Sequence, residues 1–253
     1  MLPYYVTPDK IDWFVNQALI EDVGSGDHTT LACIPDTQSD KAILKVKDEG
    51  IIAGIELAKV IIQKLDPNCS FTTFIKDGDS VSYGDIAFEL SANSHALLKA
   101  ERLILNTMQR MSGIATMSNR FAFEVEDLPV TILDTRKTTP LLRFLEKWAV
   151  KLGGCENYRF GLYDWIMIKD NHVEASGGIK NAINNVHRYL KDNKLDLNIT
   201  VEVRNLVELY DALEVGGFKR IMLDNFEIPL LQEAVEIIGN RYETEASGGI
   251  TIN

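Results

Sequence analysis

Short apolar segments alternate with longer segments of helical spacing through the second half of the chain. The apolar segments predict strands at 130–134, 165–168, 198–203, 220–223 and 242–246, and the intervening segments predict helices at 140–152, 179–191, 206–215 and 229–238. Apolar strands that alternate with helices are typical of a parallel sheet covered by helices. Because no Gly-x-Gly-x-x-Gly or P-loop motif follows the first strand, an incomplete TIM-like barrel is favoured over a nucleotide-binding fold.

The first half of the chain predicts a less regular mixture of helices and strands. Its patterns predict helices at 9–20 and 56–65, a half-buried strand at 42–47 and short strands within 71–90. The stretch 96–126 is helical, and Gly113 predicts a break into more than one helix. Because the pattern changes at Pro129, we predict two domains, 1–128 and 129–253.

Charged and small residues follow the predicted strands of the second domain. The cations are Arg136, Lys137, Arg159 and Lys169, the carboxylates are Glu202 and Asp224, and the last strand ends in Ser247, Gly248 and Gly249. Barrel folds place their active sites at the carboxyl ends of the strands. Four cations suit a polyanionic ligand, and small residues let backbone amides approach a phosphate. Two carboxylates suit a hydrated Mg²⁺ that carries a pyrophosphate.

The total charge of the chain narrows the possible partners. Lys and Arg number 26 and Asp and Glu 37, which gives a net charge of −11. An acidic chain is a poor ligand for nucleic acid or anionic membranes, although a cationic pocket for a small anion remains possible. Three scattered cysteines and the lack of a signal peptide or apolar span predict a soluble cytoplasmic protein.

Several motifs together resemble the nicotinate-nucleotide pyrophosphorylase (carboxylating) family, also called quinolinate phosphoribosyltransferase. They are EDVGSGDHT at 21–29, AERLILN at 100–106, SGIA at 112–115, DTRKTTP at 134–140, LEKWAV at 145–150, IKDNH at 168–172, VEV at 201–203, MLDNF at 222–226 and EASGGI at 245–250. The resemblance runs in order through nearly the whole chain. It implies an N-terminal α/β sandwich domain that contributes to dimerisation and an α/β barrel domain that carries the active site.

The resemblance also implies a reaction and its partners. Quinolinate and 5-phosphoribosyl-1-pyrophosphate would give nicotinate mononucleotide, pyrophosphate and CO₂ in NAD biosynthesis, with Mg²⁺ as cofactor. A homodimer is implied, because the family's counterpart of Arg102 reaches the active site of the partner subunit.

The family's residue roles carry over to matching positions of this chain. Arg136, Arg159 and Lys169 would bind the quinolinate carboxylates with Thr135, while Lys137, Ser247, Gly248 and Gly249 would contact the sugar phosphates. Glu202 and Asp224 would orient the ribose hydroxyls and Mg²⁺, directly or through water. Lys137, Lys169, Glu202 and Asp224 are the predicted catalytic residues, and Arg102 and Tyr158 join the predicted substrate-binding set.

Two departures from the family pattern qualify this prediction. Tyr158 stands where the family usually has a histidine. A phenol still donates a hydrogen bond but carries no positive charge near neutral pH. We therefore expect weaker quinolinate binding or an altered pH dependence. The family also continues for one more strand and phosphate loop after the fifth strand, and we expect impaired activity without them.

Two other functions stay open from the residues alone. One is a related phosphoribosyltransferase for another ring acid, which would share the carboxylate-binding cations. The other is a non-catalytic protein that binds phosphorylated metabolites, although retention of Lys137, Lys169, Glu202 and Asp224 together counts against it, since buried charges are costly.

Overall fold

The computed structural model describes residues 2–252, which form two compact units. The first unit ends at Tyr158 and the second begins at Arg159. Residues 129–158 therefore pack within the first unit, although the sequence pattern changes at Pro129. The predicted domain boundary at 128 stays a prediction.

Residues 2–158 of the first unit form five helices and two small antiparallel sheets. Its helices are α1 (Pro8–Val23), α2 (His28–Cys33), α3 (Ile55–Leu65), α4 (Ser94–Glu124) and α5 (Arg143–Leu152). Its strands are β1 (Ser39–Lys45), β2 (Gly50–Ile51), β3 (Ser70–Thr73), β4 (Ser80–Val81) and β5 (Ile86–Asn93). The sheet orders are β1-β5-β3 and β2-β4.

Helix α1 shows how local sequence signals set the elements of this unit. The Thr7 hydroxyl caps its first turn by accepting a hydrogen bond from the Lys10 amide at 3.2 Å, and Pro8 occupies the first helical position. Ile11, Phe14 and Val15 follow at helical spacing, and all three are buried.

The second unit is a parallel sheet with its helices in the connections between strands. Its elements are β6 (Ile166–Ile168), α6 (Asp170–Ala175), α7 (Ile179–Asn193), β7 (Ile199–Val203), α8 (Leu206–Val215), β8 (Arg220–Asp224), α9 (Ile228–Ile238), a short 3₁₀ helix (Gly239–Arg241) and β9 (Glu243–Ser247). The strands are parallel in the order β6-β7-β8-β9. This arrangement confirms the predicted mixed α/β class with a parallel second part.

One apolar core holds the sheet of the second unit against its helices. It is built around buried aliphatic side chains of two strands and three helices: Val201, Val203, Ile221, Leu223, Ile183, Leu209 and Ile238. Alternate residues of a strand point to opposite faces, so the polar Thr200 and Glu202 of β7 lie on the other face. That face carries the candidate site.

Two predicted elements are wrong. The stretch 130–134 is not a strand, since it makes only one parallel bridge, between Leu133 and Glu156. Gly113 does not break the long helix either: α4 runs unbroken for 31 residues, because Met108, Met111 and Ala115 stay buried on both sides of the glycine. The other second-half elements are confirmed within a few residues, and α6 was not predicted. The predicted lack of a further strand and phosphate loop stays a prediction.

Candidate active site

In the first unit, a turn of fixed backbone presents the Thr-Arg-Lys sequence that follows Asp134. The Asp134 amide donates to the Glu156 carbonyl at 3.1 Å, which anchors the start of the turn. The Thr135 hydroxyl accepts from the Lys137 amide at 3.0 Å, and the Arg136 carbonyl accepts from the Thr138 amide at 2.9 Å. These local bonds set the conformation of the turn while leaving Thr135 and Lys137 exposed.

Arg136 is the one described residue with a buried side-chain nitrogen or oxygen that has no hydrogen-bond partner in the chain. The unpaired atom is its Nε. A buried donor without an acceptor costs free energy, so such atoms in native proteins point to a missing partner. A guanidinium offers several donors in a plane, and a carboxylate is the acceptor that matches this geometry best.

Beside this turn lies a buried ion pair between Lys147 of α5 and Asp134, which we call the sealed pair. Their side chains are only 1% and 8% exposed. Asp134 Oδ1 also accepts from the Tyr158 amide at 2.8 Å, and Oδ2 accepts from the Asn157 side-chain amide at 2.7 Å. Both oxygens of Asp134 are therefore occupied by protein donors.

Asn157 links the sealed pair to the beginning of the chain. Its Nδ2 donates to the Lys147 carbonyl at 2.9 Å as well as to Asp134, and its Oδ1 accepts from the Tyr5 hydroxyl at 2.5 Å. Burial, followed by the nearby Asp134 carboxylate, raises the pKa of Tyr5 well above its usual range. Tyr5 therefore stays a neutral donor, and it determines which end of the Asn157 amide faces Asp134.

Arg102 lies on α4 with its side chain exposed. Its side chain makes no hydrogen bond or ion pair with any of residues 2–252. Within the described chain the Arg102 side chain therefore makes no polar contact with the turn at 135–137, and its role in a partner's site stays a prediction.

In the second unit, Lys169 and Glu202 form a more accessible ion pair, which we call the open pair. Lys169 directly follows β6, and its Nζ lies 3.2 Å from Glu202 Oε2 on β7. The Lys169 amide donates to His172 Nδ1 at 2.9 Å, which fixes the backbone at the start of α6. Glu202 is 8% exposed, but the Lys169 side chain is 45% exposed, so its ammonium can also bind an anion from solvent.

Asp224 and Ser247 lie opposite each other at the ends of β8 and β9. Asp224 Oδ2 accepts from the Asn225 side-chain amide at 2.7 Å, and the Asn225 backbone amide donates to the Ser247 carbonyl at 2.8 Å. Gly248 follows with φ at +84°, and a Cβ there would lie 2.3 Å from Asn225 Oδ1. A side chain at position 248 would therefore displace the amide that binds Asp224.

Arg159 precedes β6 and is tied to it. Its guanidinium donates to the Trp165 carbonyl at 3.2 Å and lies 3.6 Å from the Met167 sulfur. These contacts hold the guanidinium of Arg159 beside β6.

Sequence reasoning missed a second group of charges on the polar face of this sheet. Arg220 at the start of β8 contacts Glu245 at 3.2 Å and Glu243 at 2.7 Å, both on β9. Burial raises the pKa of Glu245, with the neighbouring Glu202 adding to the rise and Arg220 opposing it. The alternation of charged and small residues along β9 was the available signal.

The acidic residues fit a magnesium ion only as partial ligands. No group of three or more His, Cys, Asp or Glu residues within residues 2–252 is arranged to hold a metal ion. Glu202 and Asp224 nevertheless supply oxygen atoms, which are the ligands that Mg²⁺ takes in proteins. Because Mg²⁺ usually keeps several waters and substrate phosphates, one or two carboxylates are sufficient for it.

Within each unit, the structure brings several of the predicted residues together. Thr135, Arg136 and Lys137 share one turn of the first unit. In the second unit, Lys169 contacts Glu202, and Asp224 lies opposite Ser247. Sequence reasoning assigned no role to Asp134, Lys147, Asn157 or Tyr5. A signal was available for Lys147, which shares the buried face of α5 with Phe144 and Trp148. A lysine on a buried helix face usually has a buried partner of opposite charge.

Comparison with protein families settles the ancestry of the chain. The model described as "Quinolinate phosphoribosyl transferase, N-terminal domain" matches residues 27–112, and the corresponding C-terminal domain matches residues 114–253. The chain belongs to the quinolinate phosphoribosyl transferase family.

Relatives of this quinolinate phosphoribosyl transferase family member occur in plants and bacteria. It is 44% identical to quinolinate phosphoribosyltransferase [decarboxylating] 1b of Nicotiana tabacum, over 94% of this chain and 72% of that protein. It is 41% identical to the probable nicotinate-nucleotide pyrophosphorylase [carboxylating] of Bacillus subtilis, over 94% and 81% of the two chains. The family relationship therefore extends over most of both relatives.

Solved structures agree with this assignment. The crystal structure of NadC from Streptococcus pyogenes superposes with a TM-score of 0.91 at 36% identity, over 98% of this chain and 86% of that chain. The nicotinate-nucleotide pyrophosphorylase of Francisella tularensis gives 0.89 at 35%, over 97% and 85%. Within residues 2–252, every helix is too short or too polar to cross a membrane.

Proposed function

We propose that this protein transfers the phosphoribosyl group of 5-phosphoribosyl-1-pyrophosphate to quinolinate, with loss of CO₂, to give nicotinate mononucleotide and pyrophosphate. Family membership supports the reaction class, and relatives named as decarboxylating quinolinate phosphoribosyltransferases support the substrate pair. The observation that carries the proposal in this chain is the unpaired, buried Nε of Arg136 in the family's own turn motif. A ring dicarboxylate supplies the acceptor that this donor lacks.

Quinolinate is a planar ring with two adjacent carboxylates, and the predicted cations match that shape. Arg136 binds one carboxylate through its free donors, with the exposed Thr135 hydroxyl alongside. Arg159 and Lys169 neutralise the remaining charge, since a guanidinium stays cationic and the Lys169 side chain is 45% exposed. Tyr158 can donate a hydrogen bond but adds no positive charge.

The phosphoribosyl donor is held by a different set of groups. Lys137 is exposed in the turn and provides a point charge for phosphate. Gly248 and Gly249 have positive φ values of 84° and 67°, a conformation in which successive backbone amides can form a concave anion site after Ser247. Glu202 and Asp224 bind the ribose hydroxyls.

The transfer needs no nucleophilic side chain. The pyridine nitrogen forms a bond to the ribosyl carbon as the bond to pyrophosphate breaks, and positive charge develops on the sugar. The carboxylates Glu202 and Asp224 stabilise that charge, so positioning and electrostatics supply the catalysis. The ring nitrogen is then cationic. The bond to the adjacent carboxylate breaks, CO₂ leaves, and a proton from water adds to the ring carbon.

Magnesium is the proposed cofactor. Glu202 and Asp224 would hold the hydrated ion, and the ion would neutralise charge on the pyrophosphate group. A chelator should therefore abolish turnover, and added Mg²⁺ should restore it. Turnover that persists with chelator would contradict this assignment.

The direct test mixes the purified protein with quinolinate, 5-phosphoribosyl-1-pyrophosphate and Mg²⁺. Release of pyrophosphate and CO₂ in equal amounts, with formation of nicotinate mononucleotide, is the expected result. Nicotinate and other ring acids serve as comparison substrates, and faster turnover of one of them would favour a phosphoribosyltransferase of different specificity. Ligand binding without turnover of any ring acid would favour the non-catalytic alternative.

We also propose that the protein acts as a homodimer in which Arg102 serves the partner's site. The exposed Arg102 on α4, whose side chain makes no hydrogen bond or ion pair among the described residues, supports this arrangement. Mixing inactive Arg102→Met and Lys169→Met proteins should restore about a quarter of the wild-type activity, since a mixed dimer would contain one intact site. Failure of mixed, exchanged subunits to regain activity would show that Arg102 acts within its own chain or not at all.

The cytoplasm is the proposed location. Three cysteines without a disulfide among the described residues are compatible with a reducing compartment. Some relatives are named as chloroplastic in Arabidopsis thaliana or mitochondrial in Nicotiana tabacum, so organelles are the competing locations. Cell fractionation with an antibody against the protein decides between them.

A further inference from the structure

The sealed pair, Lys147 and Asp134, takes no direct part in the reaction proposed above. Lys147 is 1% exposed, and both Asp134 oxygens already accept hydrogen bonds from the protein. Neither side chain can therefore contact a substrate without first breaking its own bonds. The role of the sealed pair must therefore be an indirect one.

Simple stabilisation is a poor explanation for a buried ion pair. Removing two charges from water is costly, and well-packed apolar residues of similar size often give equal or greater stability. The apolar neighbours of Lys147 on α5, Phe144 and Trp148, show that this helix face could be filled by hydrocarbon alone. What hydrocarbon cannot do is bind polar backbone groups in a fixed direction.

The contacts of the sealed pair are directed at backbone on both sides of the binding turn. Asp134 immediately precedes Thr135, Arg136 and Lys137. Its carboxylate accepts from the Tyr158 amide at 2.8 Å, and Lys147 Nζ lies 3.4 Å from the Tyr158 carbonyl. The pair therefore holds both peptide groups of Tyr158 against the start of the turn.

A further layer keeps the carboxylate of Asp134 from rotating. Asn157 donates to Asp134 Oδ2 at 2.7 Å, and the Tyr5 hydroxyl holds the Asn157 amide in the matching orientation. On the far side of the turn, Arg143 donates to the Thr138 hydroxyl at 3.0 Å. Arg136 lies between these two fixed points, Asp134 and Thr138, and its Nε has no acceptor among the described residues.

We infer that Asp134 and Lys147 are positioning residues that fix the Arg136 turn relative to Tyr158 and so set the affinity for quinolinate, with Asn157 and Tyr5 supporting them. The inference rests on the proposed function. A shift of about 1 Å in a group that orients a substrate can cost a hundredfold in rate, so a small loosening should be measurable. The effect should be larger for quinolinate than for the phosphoribosyl donor, because Lys137 is the one proposed donor ligand in this turn, whereas Glu202, Asp224 and the turn at 247–249 lie outside it.

The experiment separates positioning from folding by comparing single and double variants of the full chain. Lys147→Met and Asp134→Asn each leave one buried partner unmatched, whereas the double variant leaves two neutral groups. Lys151→Met is the matched control: it lies on the same helix and removes an ion pair to Glu156 whose side chains are 39% and 56% exposed. For each protein, quinolinate binding by calorimetry, both KM values, kcat and the urea midpoint are measured.

If the pair positions the turn, the double variant regains much of the urea midpoint lost by the singles, yet its Kd for quinolinate stays raised by about tenfold or more. The KM for the phosphoribosyl donor rises by a smaller factor, since only Lys137 of its proposed ligands lies in this turn, and Lys151→Met behaves like the wild type. If quinolinate affinity recovers together with the urea midpoint, the pair is only structural and the inference is overturned.

Tyr5→Phe tests the same inference where the pair variants fail to fold. It removes one hydroxyl and should raise the quinolinate Kd by about threefold, since one hydrogen bond is lost at a distance from the ligand. An unchanged Kd in this variant then overturns the inference. A wild-type protein that neither binds quinolinate nor releases pyrophosphate refutes the proposed function itself, whereas wild-type turnover with unaffected variants refutes only the positioning role.

Discussion

Each unit of the molecule contains a lysine–carboxylate pair next to predicted substrate ligands, and the two pairs differ in exposure. The sealed pair of the first unit, Lys147 and Asp134, is closed to solvent on both sides. The open pair of the second unit, Lys169 and Glu202, has a buried carboxylate but a lysine that is nearly half exposed. Under the proposed function, similar chemistry serves two purposes: one pair holds backbone, and the other offers a charge to a ligand.

The largest expected effect is the loss of stability when the sealed pair is broken. Lys147→Met leaves the buried Asp134 without its counter-ion, so we expect the free energy of unfolding to fall by about 3–5 kcal/mol. Lys151→Met removes the exposed pair on the same helix and should cost less than about 1 kcal/mol. Urea unfolding of both variants measures the difference. Equal losses would mean that burial does not distinguish the two pairs.

The open pair should show the reverse pattern, with activity affected more than stability. Lys169→Met removes a charge that the proposal places on quinolinate, so we expect kcat/KM for quinolinate to fall by about 100-fold to 1,000-fold. Its loss of unfolding free energy should be smaller than that of Lys147→Met, because the Lys169 side chain is 45% exposed whereas that of Lys147 is 1% exposed. Steady-state kinetics and urea unfolding check both parts.

Lys180→Met is the control for the open pair. Lys180 pairs with Asp211 at 3.0 Å and Glu214 at 2.8 Å on the exposed side of the same unit. Its removal should leave kcat/KM unchanged. A Lys169→Met protein with the kinetics of this control would place Lys169 outside the substrate site.

A smaller effect is expected where Tyr158 replaces the usual family histidine. Tyr158→His adds a group that becomes cationic below about pH 6.5, so the KM for quinolinate should fall by about twofold to tenfold as the pH decreases through that value. The test measures the KM for quinolinate of wild type and variant between about pH 5.5 and 8, roughly the range over which histidine titrates. Identical KM profiles for the two proteins would show that a charge at position 158 does not affect quinolinate binding.

The smallest effect concerns the pH dependence of stability in the second unit. Burial raises the pKa of Glu245 above its unfolded value, so the folded chain holds that proton to a higher pH. The stability contributed by this group is therefore present below the unfolded pKa and is lost as the pH rises through the folded one. Relative to wild type, Glu245→Gln should gain stability with rising pH in urea experiments. If the stability difference between Glu245→Gln and wild type stays constant with pH, the pKa of Glu245 is not raised in the folded protein.

Sequence patterns predicted the second unit well because its strands and helices are short and strongly periodic. They failed at 130–134, where the apolar run resembles a strand but finds only Glu156 as a bridge partner. They failed again at Gly113, because the buried faces of Met108, Met111 and Ala115 keep α4 helical across a residue that disfavours helix by itself. Both errors arise from tertiary packing, which local propensity does not contain.

Candidate ligands were easier to find from the sequence than the residues that hold them. Arg136, Lys137 and Lys169 stand out as charges after apolar segments. Asp134 and Lys147 lie 13 residues apart, and their pairing depends on how α5 returns to the turn. Tyr5 lies 152 residues from Asn157 in the sequence. Their hydrogen bond can therefore be found only in the folded structure.

The turn at Gly248 limits how the substrate range of this protein can be altered. Any side chain there would occupy the position of the Asn225 amide, so even alanine would move the group that orients Asp224. Libraries aimed at other ring acids should therefore leave 225 and 248 unchanged and vary position 158, where the hydroxyl end of the side chain can change while the backbone stays bound to Asp134. Under the proposed function, position 158 of the first unit is therefore the one to vary for a new specificity, and the glycine turn is the part to preserve.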